Sequence, residues 1–132
     1  MQTVCLTKTT IRMKDLRWFK DEEFRKATPS CSLSDMNEDF MLRLDQARQL
    51  AKIPFIINSA YRTVDYEKSK KRPGTSQHTK GLAVDIRCVT NAHRFRIVSS
   101  LIATGFRRIG IATNYIHVDA GYPESEPIIW TY

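Results

Sequence analysis

Cysteine is sparse in this chain and shows no pairing pattern. Cys5, Cys31 and Cys88 are odd in number and widely spaced, which argues against a disulfide framework. No C-x-x-C pair occurs, so a thiolate zinc site is not expected either. Three reduced thiols are expected, as in a chain folded in a reducing compartment. No apolar run approaches the roughly 18 residues of a membrane helix, so no span is expected. The opening stretch, MQTVCLTKTTIRMKDLRWFK, has no unbroken apolar segment and does not read as a secretory signal; synthesis in the cytoplasm is expected. Internal repeats and low-complexity tracts are also missing. Acidic residues are in deficit: 14 Asp and Glu face 21 Lys and Arg, for a net charge of +7. That surplus points to an anionic partner such as nucleic acid, a membrane surface or a cell-wall polymer. Nucleic acid is the weakest of these, because no nucleic-acid motif occurs and the cations are scattered.

With 132 residues, 42% of them hydrophobic and 27% charged, the chain is long enough for one globular domain and too apolar for bulk disorder. The first 30 residues carry anchors at Leu16, Trp18, Phe19 and Phe24, with a short helix expected around Asp21 to Lys26. Met36, Phe40, Leu44, Ala47 and Ala51 form one stripe, predicting a helix from about Asp35 to Ala51 with Ser34 as its cap. The β-branched run Phe55 to Ala60 reads as a buried strand. Residues 62 to 77, including the basic run Lys68 to Arg72, read as a long loop bordering a cleft or facing solvent. A second strand is expected over Leu82 to Val89. Leu82, Val84, Ile86 and Cys88 take its core face, and Ala83, Asp85 and Arg87 the other. A second helix is expected over Ala92 to Thr104, capped by Thr90 or Asn91, with Phe95, Val98, Leu101 and Ile102 inward and Gly105 at its end. Strands near Arg107 to Ile111, Tyr115 to Ala120 and Ile128 to Tyr132 complete the chain. This is an α+β pattern: a small, mainly antiparallel sheet with helices packed on one face.

The chain has three histidines, His78, His93 and His117. His93 opens the second helix and reads as an ordinary polar residue. On the strand Tyr115-Ile116-His117-Val118-Asp119, the apolar set packs inward. Tyr115, His117 and Asp119 share the opposite face. Asp85 also lies off the core face of its strand, and Gly81 permits a tight entry into that strand. If the two strands are neighbours, Asp85 and His117 converge, and His78 on the incoming loop reaches the same point. Two imidazoles and a carboxylate suit zinc, with a fourth position open for water. The competing reading is a set of hydrogen-bonded surface histidines.

The segment Ser76-x-His78-x-x-Gly81-x-Ala83-x-Asp85 resembles the S-x-H-x-x-G-x-A-x-D signature of the zinc D-alanyl-D-alanine carboxypeptidase and L-alanyl-D-glutamate endopeptidase family, which shares its fold with the Hedgehog signalling domain. Ser59-Ala60-Tyr61-Arg62-Thr63 is similar to the family's strand-end motif with its arginine, and Tyr115 to Asp119 to the strand carrying the third ligand. The resemblance covers roughly residues 14 to 132. It implies His78, Asp85 and His117 as zinc ligands. It also implies that Arg62 stands over the site, where a guanidinium holds either a developing oxyanion or a substrate carboxylate. Ser76 is then expected to orient the loop or touch substrate, and Tyr115 to border the substrate.

The chain departs from the family at one place. Many members carry Glu, Asp or His shortly before the third ligand as general base, whereas this chain has Asn114 and Tyr115. The nearest carboxylate is Asp119, expected to act as the base or to orient a ligand. The activity implied is zinc-dependent hydrolysis of peptidoglycan stem peptides by a monomer, of the kind used in phage or viral lysis. A catalytically silent, zinc-containing wall-binding module of the same fold is the alternative.

Overall fold

The structure is a computed structural model, and it describes residues 13–121 and 126–132. Cys5 lies outside those residues. Cys31 and Cys88 are both buried free thiols.

Four α-helices and five strands make up the described chain: α1 (Asp21–Arg25), α2 (Glu38–Ala51), β1 (Ile57–Ser59), α3 (Val64–Ser69), β2 (Ala83–Arg87), α4 (Asn91–Ala103), β3 (Arg108–Ile111), β4 (Tyr115–Asp119) and β5 (Ile128–Thr131). The sheet runs β1-β2-β4-β3-β5. β1–β2, β2–β4 and β4–β3 pair antiparallel, while β3–β5 pair parallel. The α+β class and the mainly antiparallel sheet are as expected, with one parallel pair at the β5 edge.

α2 carries the expected stripe, and Met36, Phe40, Leu44, Ala47 and Ala51 are all buried. It starts later than expected, however. Leu33–Asp35 forms a separate 3-10 turn capped by Ser32, and Met36 is extended after it. The cap of α2 is therefore Asn37, whose side chain accepts the Phe40 N–H at 2.9 Å, and not Ser34.

Two other expectations are corrected. Residues 62 to 77 are not all loop, since Val64–Ser69 is helical and Thr63 caps it by accepting the Tyr66 N–H at 3.0 Å. The helix escapes an apolar-stripe reading because its buried residue is Glu67, a carboxylate. On α4, Phe95 is 74% and Ile102 52% exposed. The inward face is Ile97, Ser100 and Leu101, with Val98 packed against the core. Phe95 lies two positions from Ile97, about 200° around the helix, and so points away.

The strand alternation on β2 and β4 holds. Val84, Ile86, Ile116 and Val118 are fully buried in a cluster with Phe24, Met41, Leu44, Phe55 and Leu101. Apolar burial of this kind is the main force holding the sheet to its helices. The sheet's other face carries the polar residues.

Candidate metal centre

One row of directly paired residues crosses all five strands: Ser59, Asp85, His117, Gly110 and Trp130. Residues opposite one another in a ladder project from the same face, so this row is one surface. A β-bulge sets its first member. Ile57 pairs with Ile86, but the register then shifts so that Ser59, rather than Asn58, opposes Asp85.

His78 reaches the row from a 3-10 turn, Gln77–Lys80, that ends at Gly81. Gly81 adopts φ +69°, and a Cβ there would lie 2.5 Å from the Asp35 carbonyl, so only glycine fits this corner. The His78 Nδ1–H donates to the Ala60 carbonyl at 2.6 Å. That bond fixes the ring and aims Nε2 at Asp85, 3.5 Å from Oδ1. The His117 Nδ1 stands 2.9 Å from the same oxygen. One ligand atom from each of His78, Asp85 and His117 lies within 4.8 Å of the others. The donor set, two ring nitrogens and one carboxylate oxygen on a largely buried face, fits zinc.

Each donor is held from behind. Asp85 Oδ2 accepts from Arg62 Nη2 at 3.2 Å, which reserves Oδ1 for the two histidines. The other ring nitrogen of His117, Nε2, donates to Asp119 Oδ2 at 2.7 Å, and Asp119 Oδ1 accepts from Arg108 Nε at 2.8 Å. Carboxylate support of a ligating histidine fixes its ring and tautomer. Burial pulls the His117 pKa down, but its bonds to Asp119 and Asp85 outweigh this and raise it from 6.5 to about 9. In Asp85, burial acts against ionisation, yet the bonds from His117 and His78 hold its carboxyl well below the usual range. Asp119 is likewise lowered, with burial opposed by His117 and Arg108.

A profile of the family described as Peptidase M15 matches residues 18–119. The chain belongs to the peptidase M15 family. A comparison with curated proteins found no match. Members of the peptidase M15 family are zinc peptidases, which agrees with the donor chemistry of the His78–Asp85–His117 group.

The other residues singled out in the sequence lie around this group. Arg62 donates to Ser59 Oγ through Nε (3.0 Å), to Glu67 through Nη1 (3.3 Å) and to Asp85. The Ser76 hydroxyl donates to Glu67 Oε2. Tyr115 lies beside Tyr132, ring centroids 5.5 Å apart. Burial raises its phenol pKa, and Tyr132 and Asp85 add to this. The basic run Lys68, Lys70, Lys71 and Arg72 is exposed, and so is His93.

Three residues around this group were not evident in the sequence. Glu67, 1% exposed, joins Arg62 to Ser76; burial acts against its ionisation, but the bonds from Ser76 and Arg62 outweigh this and lower its pKa. Arg108 backs Asp119, and Trp130 packs on His117 with ring centroids 5.6 Å apart. Glu67 is five residues after Arg62, close enough to have been a partner, but nothing in the local spacing marks it as one. Arg108 and Trp130 join the site only through the pairing of β3 with β4 and β5.

Proposed function

We propose that this chain is a zinc-dependent peptidase that cleaves peptide bonds in the stem peptides of bacterial peptidoglycan. The observation that carries the reading is the convergence of His78 Nε2, Asp85 Oδ1 and His117 Nδ1, each fixed by a second hydrogen bond. Membership of the M15 family supports it. The net charge of +7 suits a substrate and a wall rich in anionic groups.

When bound, zinc supplies a Lewis acid for the scissile carbonyl and a hydroxide-like nucleophile near neutral pH. The protein's own groups do the rest. Ala60, Arg62 and Asp119 hold the three donors in place through the bonds already described. Arg62 commits one N–H to each of Ser59, Glu67 and Asp85. A guanidinium has five N–H donors, so two remain for the carbonyl oxygen as it gains charge, or for a substrate carboxylate. Ser76 holds Glu67, which holds Arg62. Tyr115, uncharged at neutral pH, offers an O–H to the substrate backbone. Hydrolysis adds water across the C–N bond and yields a carboxylate and an amine. Asp119 has both oxygens engaged, by Arg108 and His117. This geometry favours an orienting role over that of general base.

The test is digestion of purified peptidoglycan by the zinc-loaded protein and by His78→Ala, with fragments identified by mass. New amine termini from the wild type alone are expected, and their identity names the bond. A wild type that binds the wall but releases no amine supports the silent binding module instead.

A further inference from the structure

β5 adds a wall to this site from beyond the segment matched to the family, which ends at residue 119. Trp130 pairs with Gly110, and Gly110 with His117. A Cβ on Gly110 would lie 2.6 Å from the indole, so the bare backbone there is what lets the ring settle on β3 and reach His117. The Arg108 guanidinium lies over the same indole, its central carbon 5.2 Å from the ring centroid. A second glycine clears room for Arg108, since a Cβ on Gly121 would lie 2.1 Å from its Cδ. Two glycines thus accommodate one stack, Arg108 on Trp130, beside the Asp119–His117 pair.

This stack does more than pair with Asp119 requires. Among the described residues, the Arg108 side chain donates a hydrogen bond to Asp119, and the bond uses Nε. Its two terminal nitrogens are not needed for that bond, and the side chain keeps 28% exposure. Arg62, by contrast, has all three of its nitrogens engaged and is 14% exposed. A guanidinium held over an indole, with no hydrogen bond from its terminal nitrogens to the described residues, matches a carboxylate in shape and charge.

We propose that Arg108, held on Trp130, is a specificity-determining residue that takes a substrate carboxylate on the His117 side of the scissile bond. The inference rests on the peptidase reading above, and stem peptides carry free carboxylates or their amides at several positions.

The experiment uses the zinc-loaded full chain and synthetic stem peptides in which each carboxylate is, in turn, free or amidated. Binding is measured by calorimetry and cleavage by mass. At one position the wild type is expected to bind the acid at least about tenfold more tightly than the amide, the usual worth of a charge-assisted hydrogen bond. With zinc supplied to saturation for every protein, Arg108→Gln removes that preference and Arg108→Lys restores part of it. Equal wild-type binding of acid and amide at every position overturns the proposal. So does an Arg108→Gln protein that keeps the preference at saturating zinc. A preference present without cleavage overturns the peptidase reading and leaves Arg108 as a carboxylate subsite. Cleavage without any preference does the reverse. Absence of binding to every peptide overturns both.

Discussion

Asp85 and His117 stand directly opposite one another on β2 and β4, and the Asp85 Oδ1 lies 2.9 Å from His117 Nδ1. The rest of the centre is arranged around this contact. Arg62 occupies the other oxygen of Asp85, Asp119 the other nitrogen of His117, and His78 approaches the shared oxygen from the third side. Without metal, the position between the two is filled by a proton. With metal, the same two atoms become donors.

Asp119→Asn separates an orienting carboxylate from a base. Loss of the charged partner of His117 is expected to weaken zinc binding about 10–100-fold, with peptide hydrolysis recovering when zinc is supplied in excess. A competition titration with a chelating dye, run beside the peptidase assay, checks this. Unchanged zinc affinity with hydrolysis abolished would assign Asp119 the base role.

The metal-free protein should lose stability in mild alkali. His117 has a folded pKa raised from 6.5 to about 9, so its contribution is complete below about pH 6.5 and is lost as pH rises through about 9. Asp85 and Asp119 have lowered values, so their contribution is present above about pH 4 and is lost on acidification. Thermal melts of metal-free protein should show greatest stability between roughly pH 4.5 and 6.5 and a decline on the order of 2 kcal/mol toward pH 9. Saturating zinc should remove the alkaline decline, because metal replaces the proton on His117.

Glu67→Gln tests the support beneath Arg62. The carboxylate is 1% exposed and accepts from both Arg62 and Ser76. Removing its charge leaves Arg62 without a buried counter-ion on that side, at an expected cost of about 1–3 kcal/mol in urea unfolding. Hydrolysis should fall while zinc content stays at the wild-type level, since none of the three donors is touched.

Gly110→Ala should dislodge Trp130. The added methyl would lie 2.6 Å from the indole, so the ring must move off β3. The expected cost is about 1–3 kcal/mol, with a red shift of tryptophan emission. Trp18, the other tryptophan, is 46% exposed and lies on another part of the chain, so Trp18→Phe isolates the Trp130 signal.

Much of the centre was legible because its residues lie on short, regular elements. Strand alternation placed Asp85 and His117 off the core face, and glycine chemistry marked the corner at Gly81. Where the sequence reading fell short, the cause was pairing or burial between segments far apart in the chain. The bulge that brings Ser59 opposite Asp85 depends on how β1 meets β2. The partnership of Arg108 and Trp130 depends on a parallel pair at the sheet edge. Glu67 is buried as a carboxylate because Arg62 and Ser76 surround it, and no apolar periodicity announces such a helix. Phe95 misled for the opposite reason: it fits a helical stripe but lies on the solvent side of α4.

The central claim is that His78, Asp85 and His117 together form a hydrolytic zinc centre. The most direct measurement is a titration of metal-free protein with zinc, following bound metal and stem-peptide cleavage in the same samples. Activity is expected to rise in proportion to zinc and level off at one ion per chain, and His117→Ala is expected to lose both tight binding and cleavage. Cleavage by the metal-free protein, or a His117→Ala protein that still binds one zinc tightly and cleaves, would contradict the claim.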